Sequence, residues 1–306
     1  MTHTAREEDL ARAIARDWSG GAPVDLGLAG EGSNNVIYHA TAGGRSVAVK
    51  LSKPHREAGA LGEYRKEAWC AREAARRGVA TPQTLAVGER DERAYAVLDF
   101  IDGRKPAENE HVAVWRELGR MARAIHGVPA TGWGWHMESD GVFGENWAAH
   151  LAYNIDSLTP DDALIALGVL DAAAARRVRA AFERLAVETP SFGLVHGDLA
   201  PQNVLIGGAG RIWLIDWGCA GPHVVPHYEL NEIARSARAD TAQLAAFLEG
   251  YGLAAETFAA MRRELTVLRA LREIDLCRWA LDRKPDEVAA QVPRARIAVE
   301  ALLLEA

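Results

Sequence analysis

The chain has 306 residues, of which 49% are hydrophobic and 25% are charged. This ordinary globular composition excludes a disordered or fibrous protein. The formal charge of -7 would repel a phosphate backbone, so nucleic acid is not an expected partner. No apolar run approaches the roughly 20 residues that a membrane-spanning helix needs, and the charged amphipathic N-terminus is unlike a signal peptide. We therefore expect a cytoplasmic protein without membrane contact, as a monomer or a homodimer.

The first hundred residues carry the pattern of a small antiparallel sheet. Apolar runs flank the dipeptide Gly43-Gly44, as in a β-hairpin, and residues 94–101 are typical of a further strand. Between them, a helical pattern runs from about Gly59 to Arg77. It is followed by Gly78 and then Pro82, the usual order of residues after a helix. This part of the chain is predicted to be β-rich with one long helix.

Beyond the connector IDGRKP, the pattern changes to long helices, interrupted by a β-rich stretch from Leu194 to Gly218. The chain thus predicts an α+β fold of two lobes. The predicted divisions are a β-rich N-lobe over residues 1–98, a hinge over residues 99–103, and a helical C-lobe over residues 104–306 that carries one β-hairpin.

Polar residues stand where apolar runs end in the stretch LVHGDLAPQNVLIGGAGRIWLIDWG. Asp198 and Asn203 lie five residues apart on a loop that enters a strand, and Asp216 ends the next strand. A hairpin between these strands would hold Asn203 and Asp216 side by side. Their oxygens suit Mg²⁺ together with substrate phosphates, and Asp198 could accept a proton from an attacking hydroxyl. The spacing is that of the kinase catalytic loop followed by a metal-binding Asp-x-Gly.

A simpler interpretation is that Asp198 and Asn203 cap a turn while Asp216 merely ends a strand. The spacing favours the functional interpretation, because four specified residues at fixed positions occur by chance on the order of once in 500 such chains. His196, beside Asp198, is interpreted as a structural hydrogen-bond partner rather than a participant in the chemistry.

A phosphoryl-transfer site also needs groups that hold the donor's phosphates. In GEGSNNVIY, Gly30 and Gly32 precede an apolar strand, so backbone N–H groups of a turn that includes Ser33 and Asn34 could face an anion. An ordinary hairpin turn is the alternative, since the third glycine of the protein kinase pattern is replaced by Asn35.

Lys50 ends the following strand, where its ammonium could reach the phosphates. Glu63 and Glu67 lie one turn apart on the predicted helix, and either could pair with Lys50. We favour Glu67. Glycine loop, lysine, glutamate, connector and catalytic loop follow one another in the order that a kinase-like fold requires.

With these motifs the chain resembles the aminoglycoside phosphotransferase family, a small-molecule branch of the protein kinase-like fold. The resemblance runs from GEGSNN to about Tyr228 and is most specific in LVHGDLAPQNVLI and IDWG. It implies Asp198 as catalytic base and Asn203 and Asp216 as Mg²⁺ ligands. It also implies ATP or GTP as phosphoryl donor, with Lys50 and Glu67 at its phosphates.

The same resemblance makes the connector LDFIDG a hinge whose backbone meets the purine near Asp99, Phe100 and Ile101. Trp217 replaces the Phe of the protein kinase Asp-Phe-Gly, and no Ala-Pro-Glu follows, so a protein substrate is not expected. The segments TGWGW, FGENWAAHL and YELNEIA look most like antibiotic kinases of the hygromycin B type.

Candidates for acceptor recognition lie in the predicted C-lobe. Trp133 and Trp135 could form a flat wall against a sugar or heterocycle, or could simply pack inside the lobe. Carboxylates could pair with acceptor amino groups, or could lie on solvated helix faces; the candidates are Glu229, Glu232 and Asp275.

The sequence therefore predicts a Mg²⁺-dependent kinase that phosphorylates a hydroxyl of an antibiotic of the aminoglycoside type or the nucleoside type. A metabolic acceptor of the choline, homoserine, methylthioribose or fructosamine type is the alternative, because the same motifs serve these enzymes. A pseudokinase that binds nucleotide without turnover is the alternative of another class.

Overall fold

The computed structural model describes residues 5–54, 59–188, 190–236 and 241–305. The N-terminal helix α1 (Ala5–Trp18) lies against a five-stranded antiparallel sheet with the order β1-β2-β3-β5-β4. The strands are β1 (Val24–Glu31), β2 (Asn35–Ala42), β3 (Arg45–Ser52), β4 (Thr84–Arg90) and β5 (Arg93–Asp99). The predicted hairpin at Gly43-Gly44 is present between β2 and β3, and both glycines have the positive φ that such a tight turn requires.

Helix α2 (Ala60–Arg76) connects β3 to β4 along the chain, and its ends lie within one residue of the predicted limits. It follows Gly59 and precedes Gly78, and both have positive φ. One face packs Tyr64 on the sheet, while Trp69 enters a core shared with the following helices. Helix α2 therefore contributes both to the core on the sheet and to the core shared with the following helices. The predicted lobe limits at residues 98 and 103 stay a prediction, because this helix belongs to both of these cores.

The remainder of the chain is mainly helical. Its elements are β6 (Gly103–Arg104), α3 (His111–His126), β7 (Trp133–Ser139), β8 (Val142–Glu145), α4 (Trp147–Ser157), α5 (Ala163–Ala166), α6 (Ala172–Val187), β9 (Phe192–Val195), β10 (Val204–Gly207), β11 (Ile212–Leu214), β12 (Gly221–Val224), α7 (His227–Ser236), α8 (Thr241–Tyr251), α9 (Ala255–Ala260), α10 (Arg262–Arg283) and α11 (Val288–Glu305).

The single β-hairpin predicted for this part is an underestimate. Besides β10 and β11, the strands β7 and β8 form a hairpin, and β9 pairs with β12. The β7–β8 hairpin is irregular in register and has positive φ at Gly132, Gly134 and Gly141. A strand so interrupted by glycine lacks the strict apolar alternation by which strands are predicted.

Two cores hold the helical part together. One lies between α2, α3, α8 and the strands around the catalytic loop, and the other lies between α4, α6, α10 and α11. Arg278 of α10 is fixed beside the second core by two hydrogen bonds to the Asp162 carboxylate, at 2.9 and 3.1 Å. Within the described ranges, no helix combines the length and the apolar character that crossing a membrane requires.

Candidate active site

The hairpin of β10 and β11 brings Asn203 and Asp216 together at its open end. The strands pair Val204 with Leu214, and the backbone N–H of Ile215 donates to the carbonyl oxygen of Asn203 at 2.9 Å. Asn203 therefore enters β10 where Asp216 leaves β11. The short apolar strands fix this arrangement because Val204 and Leu214 are both fully buried.

Asn203 also fixes Asp198. Its side-chain Nδ2 donates to the backbone oxygen of Asp198 at 2.8 Å and to the carboxylate Oδ2 at 2.7 Å. The amide group is thereby oriented so that its carbonyl oxygen remains available as a metal ligand. Asp198 is half-buried, so its second carboxylate oxygen can receive a proton from a substrate.

Glu229 supports the catalytic loop from behind. Its Oε1 accepts hydrogen bonds from the backbone N–H groups of His196, at 2.7 Å, and Gly197, at 3.1 Å. Only 1% of Glu229 is exposed. Burial raises the pKa of its carboxyl to about 7, although the two hydrogen bonds act in the opposite direction. Glu229 thus holds the loop, and does not face an acceptor as the sequence led us to expect.

The residues before Asp198 are structural. The buried His196 ring lies with Nε2 3.1 Å from the carbonyl oxygen of Ile215, to which it donates, and burial lowers the pKa of this imidazole. Gly197 has φ of +81°, and a Cβ there would stand 2.0 Å from the Cys219 carbonyl oxygen. Only glycine therefore fits between the catalytic loop and the segment after Asp216.

Lys50 and Glu67 form a buried ion pair, with 2.6 Å between Nζ and Oε2. The ammonium also lies 4.9 Å from the centre of the Tyr64 ring. Glu63, the alternative partner in the sequence, is exposed. The pair adjoins the loop after Asp216, because the Glu67 and Asp216 carboxylates lie 3.5 and 3.6 Å from the point where a Cβ of Gly218 would stand.

A buried lysine that sequence reasoning missed joins α2 to this loop. Lys66 is 4% exposed, and its Nζ donates to the carbonyl oxygen of Gly218 at 2.9 Å. The ammonium also lies 5.8 Å from the centre of the Trp135 ring. No carboxylate pairs with Lys66 in the part of the chain that the structure describes. Its place beside Glu67 in the sequence gives no sign of this contact.

The glycine loop forms the turn between β1 and β2. Gly30 lies on β1 opposite Ile37 of β2, and the Gly32 N–H donates to the carbonyl oxygen of Asn35 at 2.9 Å. Ser33 and Asn34 are exposed at the tip. The loop thus has the solvent-facing backbone that an anion-binding turn needs.

The connector lies at the end of β5. The Asp99 N–H donates to the carbonyl oxygen of Gln83 at 2.9 Å, the Phe100 ring stacks on His39 at 3.9 Å, and Ile101 is half-buried. Just beyond it, Lys105 donates to the carbonyl oxygen of Gln202 at 2.5 Å. Burial lowers the pKa of Lys105 and the charge of Asp216 raises it, so this second missed lysine lies within electrostatic reach of Asp216.

The strands β7 and β12 and the helices α4, α7 and α10 enclose a cavity that is partly open to solvent. Its walls are unusually aromatic, being formed by Trp133, Trp135, Trp147, His150, His223 and Tyr228. Trp133 and Trp147 meet edge to face at 5.4 Å, and the His223 and Tyr228 rings stack at 4.4 Å. Both tryptophans singled out in the sequence, Trp133 and Trp135, therefore line one pocket.

Few charges face this pocket. Asp275 lines it and accepts a hydrogen bond from Asn154 Nδ2 at 3.2 Å. Arg272 also lines it, but its guanidinium pairs with the Glu232 carboxylate, which is 5% exposed. Glu232 is thus engaged in an ion pair with Arg272. Of the three predicted acceptor carboxylates, Asp275 is the one that lines the cavity.

The pocket is connected to Asp198 and Asp216 through β12, because His223 and Val224 of this strand line the pocket and β12 pairs with β9, the strand that precedes Asp198. Burial raises the pKa of the Cys219 thiol in the segment between Asp216 and β12, and the charges of Asp198 and Asp216 raise it further, whereas those of Lys66 and Arg272 lower it. One side chain is therefore within electrostatic reach of both the aspartates and the pocket arginine.

Comparison with protein families gives a match to the model of the phosphotransferase enzyme family over residues 25–266. No curated protein matches the chain. Among solved structures, aminoglycoside phosphotransferase APH(4)-Ia matches with a TM-score of 0.68 and 20% identity, covering 97% of this chain and 99% of that one.

A thermostable mutant of the same enzyme, in a ternary complex with ADP and hygromycin B, matches with a TM-score of 0.66 and 21% identity, covering 95% and 98%. A putative fructosamine-3-kinase from Thermobifida fusca YX-ER1 matches with a TM-score of 0.62 and 19% identity, covering 96% and 98%. At this identity the structural matches show a shared kinase-like fold.

Proposed function

From the premise that the chain belongs to the phosphotransferase enzyme family, and is therefore a phosphotransferase with an alcohol group as acceptor, we propose that it transfers the γ-phosphoryl group of ATP or GTP to a hydroxyl of an antibiotic. One observation carries the proposal. Asp198 is oriented by Asn203 at 2.7 Å, and the hairpin of β10 and β11 brings a second carboxylate, Asp216, to the same end of the site. The aromatic cavity beyond β12 offers a place for an organic acceptor.

In this proposal Asp198 is the catalytic base. The acceptor oxygen forms a bond to the γ-phosphorus while the bond from that phosphorus to the bridging oxygen breaks, and the nucleoside diphosphate leaves. The hydroxyl proton passes to Asp198. Because Asn203 holds one carboxylate oxygen of Asp198, the other is directed to the substrate in a defined geometry.

Asn203 and Asp216 fit a divalent cation. One offers an amide oxygen that is not used in the hydrogen bonds to Asp198, and the other offers an exposed carboxylate. Such hard oxygen ligands suit Mg²⁺, whose remaining positions are usually filled by water and nucleotide phosphates. When bound, Mg²⁺ would offset the negative charge of the phosphates.

The donor would bind between the sheet and the catalytic loop. Lys50, held by Glu67, supplies a cation for the phosphates, and the exposed turn with Gly32 and Ser33 supplies backbone N–H groups. The backbone from Asp99 to Ile101 would meet the purine. Hinge recognition by backbone atoms serves adenine and guanine alike, so ATP and GTP both belong to the proposal.

An antibiotic acceptor is supported by the aromatic walls of the cavity, since sites for organic ligands are lined mainly by hydrophobic and aromatic side chains with a few polar groups. The similar fold of an enzyme solved with hygromycin B also supports it. A metabolic acceptor is the second candidate, because a putative fructosamine-3-kinase shares the fold and because Asp275 offers a carboxylate for one amino group.

The test is release of nucleoside diphosphate in the presence of Mg²⁺, with ATP and GTP supplied separately. The panel contains aminoglycosides, nucleoside antibiotics and metabolic alcohols such as choline and fructosamines. Stimulation by an antibiotic supports the proposal, and stimulation by metabolites alone moves the protein to the second candidate. No release with any pair, although nucleotide binds, would instead indicate a pseudokinase.

A further inference from the structure

We propose that the acceptor is an uncharged or singly charged molecule whose reactive hydroxyl is carried on a sugar attached to a planar, carbonyl-bearing ring, as in a nucleoside. This inference rests on the proposed function, and it selects the nucleoside type over polycationic aminoglycosides. Four observations on the pocket carry it: its aromatic walls, its unpartnered polar atoms, its charge and the number of rings that line it.

The walls are suited to a flat ring. Trp135 is 38% exposed although it is a large apolar side chain, and it lies 4.2 Å from the His223 ring and 5.8 Å from the Tyr228 ring. A planar heterocycle that stacks on Trp135 would cover this exposed face. Stacking on aromatic side chains is the usual way in which proteins hold single nucleobases.

Buried polar atoms in the same walls have no hydrogen-bond partner within the described ranges. They are the indole N–H groups of Trp133 and Trp147 and the Nε2 of His223, a residue that is 5% exposed. A buried polar group without a partner is costly, and a native site that keeps several is usually completed by a ligand or water. Indole N–H groups only donate, so a ligand that reaches them has to offer carbonyl or hydroxyl oxygens.

The charge of the pocket limits the charge of the ligand. Asp275 contributes one negative charge, while the charges of Arg272 and Glu232 neutralise each other. At the Trp135 wall, the ammonium of Lys66 lies 5.8 Å from the ring and the carboxylate of Glu145 accepts from the Trp135 backbone N–H, so these two charges offset each other. Burial lowers the pKa values of His150 and His223, so both rings are neutral near pH 7. One carboxylate can balance one ammonium group, whereas a polycationic aminoglycoside needs several.

Size separates this ligand from a small quaternary ammonium alcohol. Aromatic walls with one carboxylate would also attract choline. Six rings line the cavity, however, and a stacked ring with a sugar attached covers more of these walls than choline does. In this binding mode the reactive hydroxyl of the sugar would have to face Asp198.

The inference is tested by calorimetric titration of three probes, uridine, kanamycin and choline, into the enzyme already saturated with ADP and Mg²⁺. Saturation keeps uridine out of the donor site. We expect uridine to bind more tightly than kanamycin or choline. We also expect Trp135→Leu to weaken uridine binding by about tenfold, and Trp147→Phe, which keeps a ring and removes the N–H, by about threefold.

Trp279→Phe is the matched control, because Trp279 is 43% exposed on α10 and is not part of the pocket wall. Three results would overturn the inference. The first is tighter binding of kanamycin or choline than of uridine, and the second is equal effects of Trp135→Leu and Trp279→Phe. The third is no binding of uridine at a concentration tenfold above the Kd of roughly 10⁻³ M that is expected for a fragment. Failure of ADP and Mg²⁺ to bind in the first step would instead count against the proposed function.

Discussion

Asn203 donates its side-chain amide to two oxygens of Asp198, the backbone oxygen at 2.8 Å and the carboxylate Oδ2 at 2.7 Å. A single side chain therefore sets both the conformation of the catalytic loop and the direction of the proposed base. The same side chain leaves its carbonyl oxygen for a cation. The proposed base and the proposed metal site therefore share the Asn203 side chain, and a substitution at one of them is expected to affect the other unless its shape is preserved.

Asp198→Asn preserves shape and removes the base. We expect kcat to fall by roughly 10²- to 10⁴-fold, which is the usual contribution of a general base. Nucleotide affinity should be nearly unchanged, because Asp198 faces the acceptor. Acceptor-dependent diphosphate release gives kcat, and titration with ADP and Mg²⁺ gives the affinity. An unchanged kcat would remove the assignment of Asp198 as base.

Asp216→Asn tests the cation site. Asp216 has φ of +65° and ψ of +71°, and Asn tolerates this left-handed region better than most residues, so the fold should be kept. We expect the Mg²⁺ concentration for half-maximal activity to rise by about tenfold or more, because a neutral amide replaces an anionic ligand. The thermal midpoint should stay within a few degrees of the wild-type value. An unaltered Mg²⁺ requirement would contradict the assignment.

The parts of the site that sequence could predict are those fixed by local rules. The loop, the hairpin and the three side chains Asp198, Asn203 and Asp216 follow from spacing within one short stretch, and a hairpin has few ways to arrange its ends. The alternation of apolar residues and the paired glycines likewise predicted β2 and β3 with their turn.

The remainder depends on contacts between distant segments. The sequence near Glu229 shows a helix but not which side of it meets the catalytic loop, and the partner of Glu232 is Arg272, forty residues further on. Lys66 has the appearance of an exposed helix lysine until α2 is packed against Gly218. Contacts between distant segments cannot be inferred from the spacing of residues along the chain. The candidate acceptor residues depend on such contacts, so they were harder to assign than the residues of the catalytic loop.

Lys66→Met tests the contact between α2 and the loop after Asp216, in which Lys66 donates to Gly218. Methionine fills similar space but cannot donate to the Gly218 carbonyl oxygen, and hydrogen bonds from buried charged groups are among the stronger ones. We expect kcat to fall by roughly tenfold and the Mg²⁺ requirement to rise, with Lys66→Arg intermediate. Arg65→Met, at an exposed position of the same helix, is the control. Equal effects at both positions would show that only α2 stability matters.

Glu229→Gln tests the buried carboxyl behind the loop. The pKa of Glu229 is raised to about 7 in the folded chain from 4.5, so the folded state holds this proton more tightly than the unfolded state does. Its contribution to the free energy of unfolding is therefore fully present below pH 4.5. As pH rises from 4.5 to about 7 the contribution is lost, and the loss is on the order of 3 kcal/mol at most.

Gln keeps an oxygen for the N–H groups of His196 and Gly197 and cannot ionise. We therefore expect the variant to match the wild type near pH 4 and to gain stability relative to it between pH 5 and 8, measured as free energy of unfolding in urea at each pH. Because other groups titrate in this range, the difference between the two proteins is the quantity to follow. Glu300→Gln, at an exposed position of α11, should show no such difference. A constant difference between wild type and Glu229→Gln across this range would mean that the carboxyl is already ionised in the folded chain.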